Sequence, residues 1–290
     1  MKGDENLWRI LCDKLEMLLT GQRLQEALRV GETALRVAQR TFPESHPALA
    51  RNYDRLGQIH DQLGDSKEAT VYLSKALEIF EKTEPVDQRA IYRLARRLAL
   101  LNETAGTEGD AIIAYEKAIQ AATALGNISH SDLGTMLNNV ALMYCRSGRQ
   151  KAAEPYYLHA LELYEKHLGP EHPDVAAVLN NLGVFYTNER RFDEAERVHQ
   201  RALSIRRKTN PKANPDVAQS KSNLAVLYHS RGDFDRAAEL YRESLRAWEE
   251  IGRTAGDYNI VASNYADLLR SLGKKRKAAA VESRARKRKM

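Results

Sequence analysis

Apolar residues in this chain recur at helical spacing, broken at regular intervals by Pro, Gly and Asn. Residues 172–210 show the plan. Val175, Val178, Leu179, Leu182, Val184, Phe185 and Tyr186 make one apolar stripe near the helical period, and Phe192, Ala195, Val198, Ala202, Leu203 and Ile205 make a second. Pro173 and Asp174 open the first stripe, because proline lacks the N–H that a first helical turn leaves unpaired and an early carboxylate suits the helix dipole. The pattern predicts a helix ending near Asn188 and a second opening at Asp193 and Glu194. The segment is a helical hairpin.

That hairpin returns every 42 residues: Ala27, Ala69, Ala111, Ala153, Ala195 and Ala237 keep the interval, with Ala278 one residue early. A second series follows seven residues behind at Ala34, Ala76, Ala118, Ala160, Ala202, Ser244 and Ala285. Residues seven apart share a helix face, so another helix must approach that face closely in every unit. Gly57, Ala99, Ala141, Gly183, Ala225 and Ala266 form a matching small series in the first helices. Turns between paired helices carry Gly64, Gly106, Gly148, Gly232 and, one residue early, Gly273, as a left-handed helix terminus favours, but one unit places Arg190 there. His46-Pro47, His172-Pro173 and Asn214-Pro215 mark helix starts in the same register. Seven units run over approximately 5–44, 45–84, 86–127, 129–170, 171–212, 213–253 and 256–287, and such periods predict one stacked solenoid rather than two ordinary domains.

Composition agrees with a helical reading, having eight prolines and sixteen glycines in 290 residues. Cys12 and Cys145 fall in different units with no metal-ligand spacing, which argues against a disulfide framework and for a reducing compartment. Arg9, Asp13, Lys14 and Glu16 interrupt the first apolar stretch, so no signal-peptide core is expected, and no run approaches the ~20 apolar residues of a membrane span. The expected location is cytoplasmic. The net charge of +6 is local: residues 274–290 carry nine Lys/Arg against Glu282, which leaves the rest of the chain at −2.

The order Leu-Gly/Ala, then Tyr144, Tyr186 or Tyr228, then a turn glycine, then Ala, Tyr115, Tyr157 or Tyr241, and Ala again, resembles the tetratricopeptide repeat. The common form of that repeat has a 34-residue period, whereas 42 with strings such as LNNLGVFY resembles the class found in kinesin light chains. The resemblance covers roughly residues 5–287. It implies an all-α, right-handed solenoid whose first helices line a concave groove that binds extended or helical peptides. By position, the residues two before each small Gly/Ala face that groove: Arg55, Arg97, Asn139, Asn181, Asn223 and Asn264. Asn138 and Asn180 add a partial second row. An amide offers donor and acceptor together, so it pairs with a peptide backbone whatever the side chains. Arg51, Arg55, Arg93 and Arg97 stand at i and i+4 on two consecutive first helices, with Arg96 beside them, and guanidinium forks suit carboxylates and phosphates. The expectation is a groove with an acid-gripping end and a backbone-holding end. Alternatively, the arginines are solvated or paired with neighbouring acids, and the asparagines bridge adjacent hairpins.

No catalytic constellation stands out. HExxH, GxxxxGK[ST], GxSxG and paired CxxC are missing, and His167 and His172 lie about a loop without a third ligand, so neither cofactor nor metal is expected and the chain reads as a non-enzyme. Tyr72, Tyr156, Tyr157, Tyr164, Tyr228 and Tyr241 fall on stripe positions and read as helix packing. Pro155 reads as a tolerated bend near a helix start. The basic run at 274–290 reads as a polar end cap, with nucleic-acid or anionic-surface binding as its functional alternative. A protein- or peptide-binding scaffold is the leading expectation. A peptide-switched regulator is another reading, and self-association through the ends stays open.

Overall fold

The computed structural model describes residues 2–209, 214–252 and 256–287, and these hold fourteen α-helices and no strand. In order they are α1 (Lys2–Thr20), α2 (Leu24–Thr41), α3 (Pro47–Gln62), α4 (Ser66–Glu81), α5 (Gln88–Ala105), α6 (Glu108–Leu125) and α7 (His130–Arg146). Then follow α8 (Gln150–Leu168), α9 (Pro173–Asn188), α10 (Phe192–Thr209), α11 (Pro215–Arg231), α12 (Phe234–Ile251), α13 (Gly256–Ser271) and α14 (Lys275–Lys287). The chain divides into two compact units, residues 1–149 and 150–290. Within the first, each helix from α1 to α7 packs on the next; within the second, α8 to α14 do the same, and α9 and α13 also touch α11. This is the all-α hairpin stacking that the 42-residue period predicts.

Close backbone approach explains the small residues. The alanines Ala27, Ala34, Ala69, Ala76, Ala111, Ala118, Ala153, Ala160, Ala195, Ala202 and Ala237 have no exposed surface. At Gly57 an added Cβ would stand 2.6 Å from Leu73, and at Gly183 it would stand 2.5 Å from the His199 ring. At the same two positions of other hairpins stand Ala99 with Tyr115 and Ala225 with Tyr241, all buried. The first hairpin inverts the order: Leu15 is the large residue and Gly31, on the second helix, the small one, 3.7 Å apart when a Cβ is added. Ser244, in the alanine series, is satisfied by donating to the Ala218 carbonyl at 2.7 Å.

Turn glycines Gly64, Gly106, Gly148, Gly232 and Gly273 all have positive φ. Arg190 adopts the same conformation, φ 60°, so the turn is kept at the cost of left-handed strain in a residue with a Cβ. Helix starts are capped: His46 and His172 accept the Ala48 and Asp174 amides through Nδ1, and Asn214 accepts Asp216 N at 2.8 Å. Pro155 lies inside α8, which continues through it. Tyr157, Tyr164, Tyr228 and Tyr241 are buried and Tyr72 and Tyr156 half-buried. Val184 departs from the expected stripe and is 40% exposed. None of the fourteen described helices is long and apolar enough to cross a membrane.

Candidate functional site

A cleft of about 1730 Å³ opens in the first unit, lined chiefly by α1, α3 and α5, the first helices of three successive hairpins. Arg51 and Arg55 on α3, and Arg93 and Arg97 on α5, all line it, because residues four apart share one helix face. Arg89 and Arg96 extend the basic row. Trp8, Leu94 and Leu100 supply apolar wall between the charges.

The arginines fall into two groups. Arg93 grips the buried Asp54 with both nitrogens, Nη1 at 2.8 Å and Nη2 at 2.5 Å, and Asp54 accepts a third bond from Gln58 at 2.7 Å. The hydrogen bond to Asp54 holds the Arg93 pKa above the usual arginine value. Arg55 pairs with Glu16 at 2.6 Å and Arg97 pairs with Asp61. Arg96 reaches Asp132 at 3.3 Å. Arg51 and Arg89 make no ion pair among the described residues, and both are exposed. Arg51 lies close enough to Cys12 to favour its thiolate, but burial outweighs that and pushes the thiol up to about 11. Cys12 is therefore protonated near neutral pH and is no nucleophile.

The asparagines are partly engaged within the protein. In the first unit Asn139, on α7, donates to the Tyr115 hydroxyl at 3.0 Å, and that hydroxyl donates to Glu103 at 2.6 Å. In the second unit Asn223 donates to Asn180 at 2.8 Å and accepts from Gln219 at 3.0 Å, which ties α11 to α9. Asn180 is buried, while Asn138, Asn139, Asn181, Asn223 and Asn264 are half-buried. An amide with one bond made keeps further donor and acceptor capacity. Arg51, Arg55, Arg93, Arg97, Asn138 and Asn139 belong to the first unit, and Asn180, Asn181, Asn223 and Asn264 to the second.

One recurrent contact escaped the sequence reading. Tyr144, Tyr186 and Tyr228 donate to Glu116, Glu154 and Glu196 on the preceding second helix at 2.7, 2.9 and 2.7 Å. Guanidiniums of Arg149, Arg191 and Arg236 lie over the same rings at 4.8, 4.3 and 5.4 Å. Arg191 also pairs with Glu154 at 2.7 Å. Burial and the bond to Glu154 raise the Tyr186 hydroxyl to about 12. The tyrosine period was visible, but its partner lies 28 to 32 residues back and drops out of any local pattern. His172, whose place before Pro173 marked a helix start, serves as the α9 cap.

In the basic run, Lys274, Lys275, Arg276 and Lys277 are exposed at the start of α14 and Arg284 pairs with Glu249 at 3.0 Å. Arg288 and Lys289 lie outside the described residues.

The tetratricopeptide repeat family model matches residues 16–82, 90–166, 132–208, 174–250 and 216–289. Among solved structures, BtubC (BKLC) from P. vanneervenii is similar at 27% identity and TM-score 0.58, covering 81% of this chain and 94% of that one. A tetratricopeptide repeat protein from Parabacteroides merdae shares 22% identity at TM-score 0.58, covering 80% and 77%. The kinesin light chain nearly identical TPR-like repeats of Podosopora anserina share 19% at TM-score 0.50, covering 72% and 99%. A search of curated protein sequences found no match.

Proposed function

The chain belongs to the tetratricopeptide repeat family, and from that premise we propose that it is a non-catalytic scaffold that binds a partner protein segment in the cleft of its first unit. The carrying observation is the row of six arginines across α3 and α5, of which Arg51 and Arg89 keep guanidiniums uncommitted to any acid among the described residues. Arg55, Arg93 and Arg97 are held in place by Glu16, Asp54 and Asp61 and offer their remaining N–H groups from fixed positions. A segment with acidic side chains or a free carboxylate suits that lining. Within the first unit Asn138 and Asn139, and separately within the second unit Asn180, Asn181, Asn223 and Asn264, are proposed as backbone-directed contacts, since an amide carries donor and acceptor together.

Fluorescence anisotropy with labelled acidic and neutral peptides of equal length tests it. Acidic peptides should bind more tightly, and Arg51→Ala combined with Arg89→Ala should weaken them about tenfold while leaving neutral peptides unchanged, as removal of charge-assisted bonds implies. Equal binding of both peptides, or no loss in the double variant, would sink the acidic reading.

A further inference from the structure

The outer face of α1 carries Leu7, Ile10 and Met17, exposed by 45, 63 and 76%. Their counterparts one period on are Leu49, Asn52 and Ile59, and two periods on Ile91, Leu94 and Leu101, all buried. The same three positions fill again with Val175, Val178 and Phe185, all buried. Later hairpins seat these residues on the second helix of the hairpin before, as Leu49 and Leu56 sit on Leu35 and Ala38 of α2. No helix among the described residues takes that place over α1.

We propose that a second copy of this chain takes it, seating the outer face of its α14 on α1. The repeat register assigns the contacts. Since Ala27 and Ala34 correspond to Ala278 and Ala285, Gly31 corresponds to Glu282 and Leu35 to Arg286. A Cβ on Gly31 would stand 3.0 Å from Leu56, so these two positions face each other across a hairpin junction. The α1 counterpart of Leu56 is Lys14. Between copies, the apolar junction pair is thus replaced by Glu282 against Lys14.

The surrounding residues fit the same register. Ile59 packs on Ala27 and Leu28, with Val30 beside them; the corresponding contact sets Met17 on Ala278 and Ala279, beside Val281. Leu7 meets the Arg286 stem, whose methylenes cover apolar surface while the charge stays in water. In this register Arg286, near the basic end of α14, faces the acidic start of α1 at Asp4, while Arg284 stays with Glu249 and Glu5 with Arg9. Glu282 already accepts from Arg270, and a carboxylate has lone pairs for a second donor.

Charge exchange on the full chain tests this by sedimentation velocity at low salt. Wild type should show a weight-average mass that rises with concentration. Lys14→Glu and Glu282→Lys should each weaken association about tenfold, because like charges then meet. Mixing the two variants should restore it, since each lone variant repels itself while the mixture offers opposite charges at every junction. Met17→Asp, with native circular dichroism, should also weaken it. A wild type that stays monomeric, a Glu282→Lys variant that associates like wild type, or a mixture no better than its parts would each overturn the proposal.

Discussion

His199 occupies the position held by Leu73, Tyr115 and Tyr241 in other hairpins, and its ring presses on Gly183, where the hairpins of Tyr115 and Tyr241 carry Ala99 and Ala225 in sequence. Neither ring nitrogen makes a hydrogen bond of good geometry, although the ring lies against the Gly183 backbone. Burial lowers its pKa to about 4. The native state therefore refuses a proton that the unfolded chain takes up below about pH 6.5, so stability falls as pH drops from 6.5 to 4, by about 3 kcal/mol in all, and is untouched above 6.5. His199→Leu copies the Gly57–Leu73 pair found earlier in the chain. It should flatten that acid slope and raise neutral stability by ~1–2 kcal/mol through removal of unsatisfied nitrogens, both read from urea unfolding across pH. A second residue-scale case is Arg190, held at φ 60°. Arg190→Gly should stabilise by ~0.5–1 kcal/mol, whereas Gly183→Ala should destabilise by ~1–3 kcal/mol because its Cβ has nowhere to go.

Cleft arginines also join helices by pairing with acids, of which Asp54 is buried, and this gives α3 and α5 a double role. Asp54, 5% exposed, depends on Arg93 across the hairpin junction. Arg93→Ala should cost ~1–3 kcal/mol, since a buried carboxylate loses two bonds, while Arg51→Ala should change stability by less than ~0.5 kcal/mol. Thermal melts separate the two variants, and only the second is then a clean probe of ligand binding. Helix starts make a further test. His172→Ala should loosen the first turn of α9 by about 1 kcal/mol, visible as faster amide exchange there, because the Asp174 amide loses its cap.

Within each compact unit stacking is local: each helix packs mainly on its neighbours in sequence, so a unit's stability is a sum of hairpin and junction terms. α14 buries only Ala278 and Ala285 among its described side chains, whereas α9 buries ten residues. Hydrogen exchange should accordingly be fastest in α14 and slow in α9, and uniform protection along the chain would contradict the stacked picture. The net excess of positive charge lies in residues 274–290. The N-terminal helix keeps apolar residues where a repeat would continue, and the C-terminal helix substitutes charges at the equivalent surface.

Periodic residues were legible in the chain itself. The alanine series, the turn glycines and the proline starts each report a local demand of backbone geometry or close helix approach, and such demands repeat with every hairpin. The α9 end at Asn188 follows from the same rules, and α10 opens at Phe192, one residue before the Asp193 and Glu194 to which the sequence pointed. The candidate arginines could be placed on one face by their spacing, because helical period alone determines that. Which of them are committed could not be read, since Arg93 finds Asp54 39 residues back and Tyr186 finds Glu154 32 residues back. Those partners sit on neighbouring helices whose rotation decides which acid meets which base. Spacing along one helix is a property of the chain, whereas pairing between helices is a property of how they pack, and only the tertiary structure supplies it.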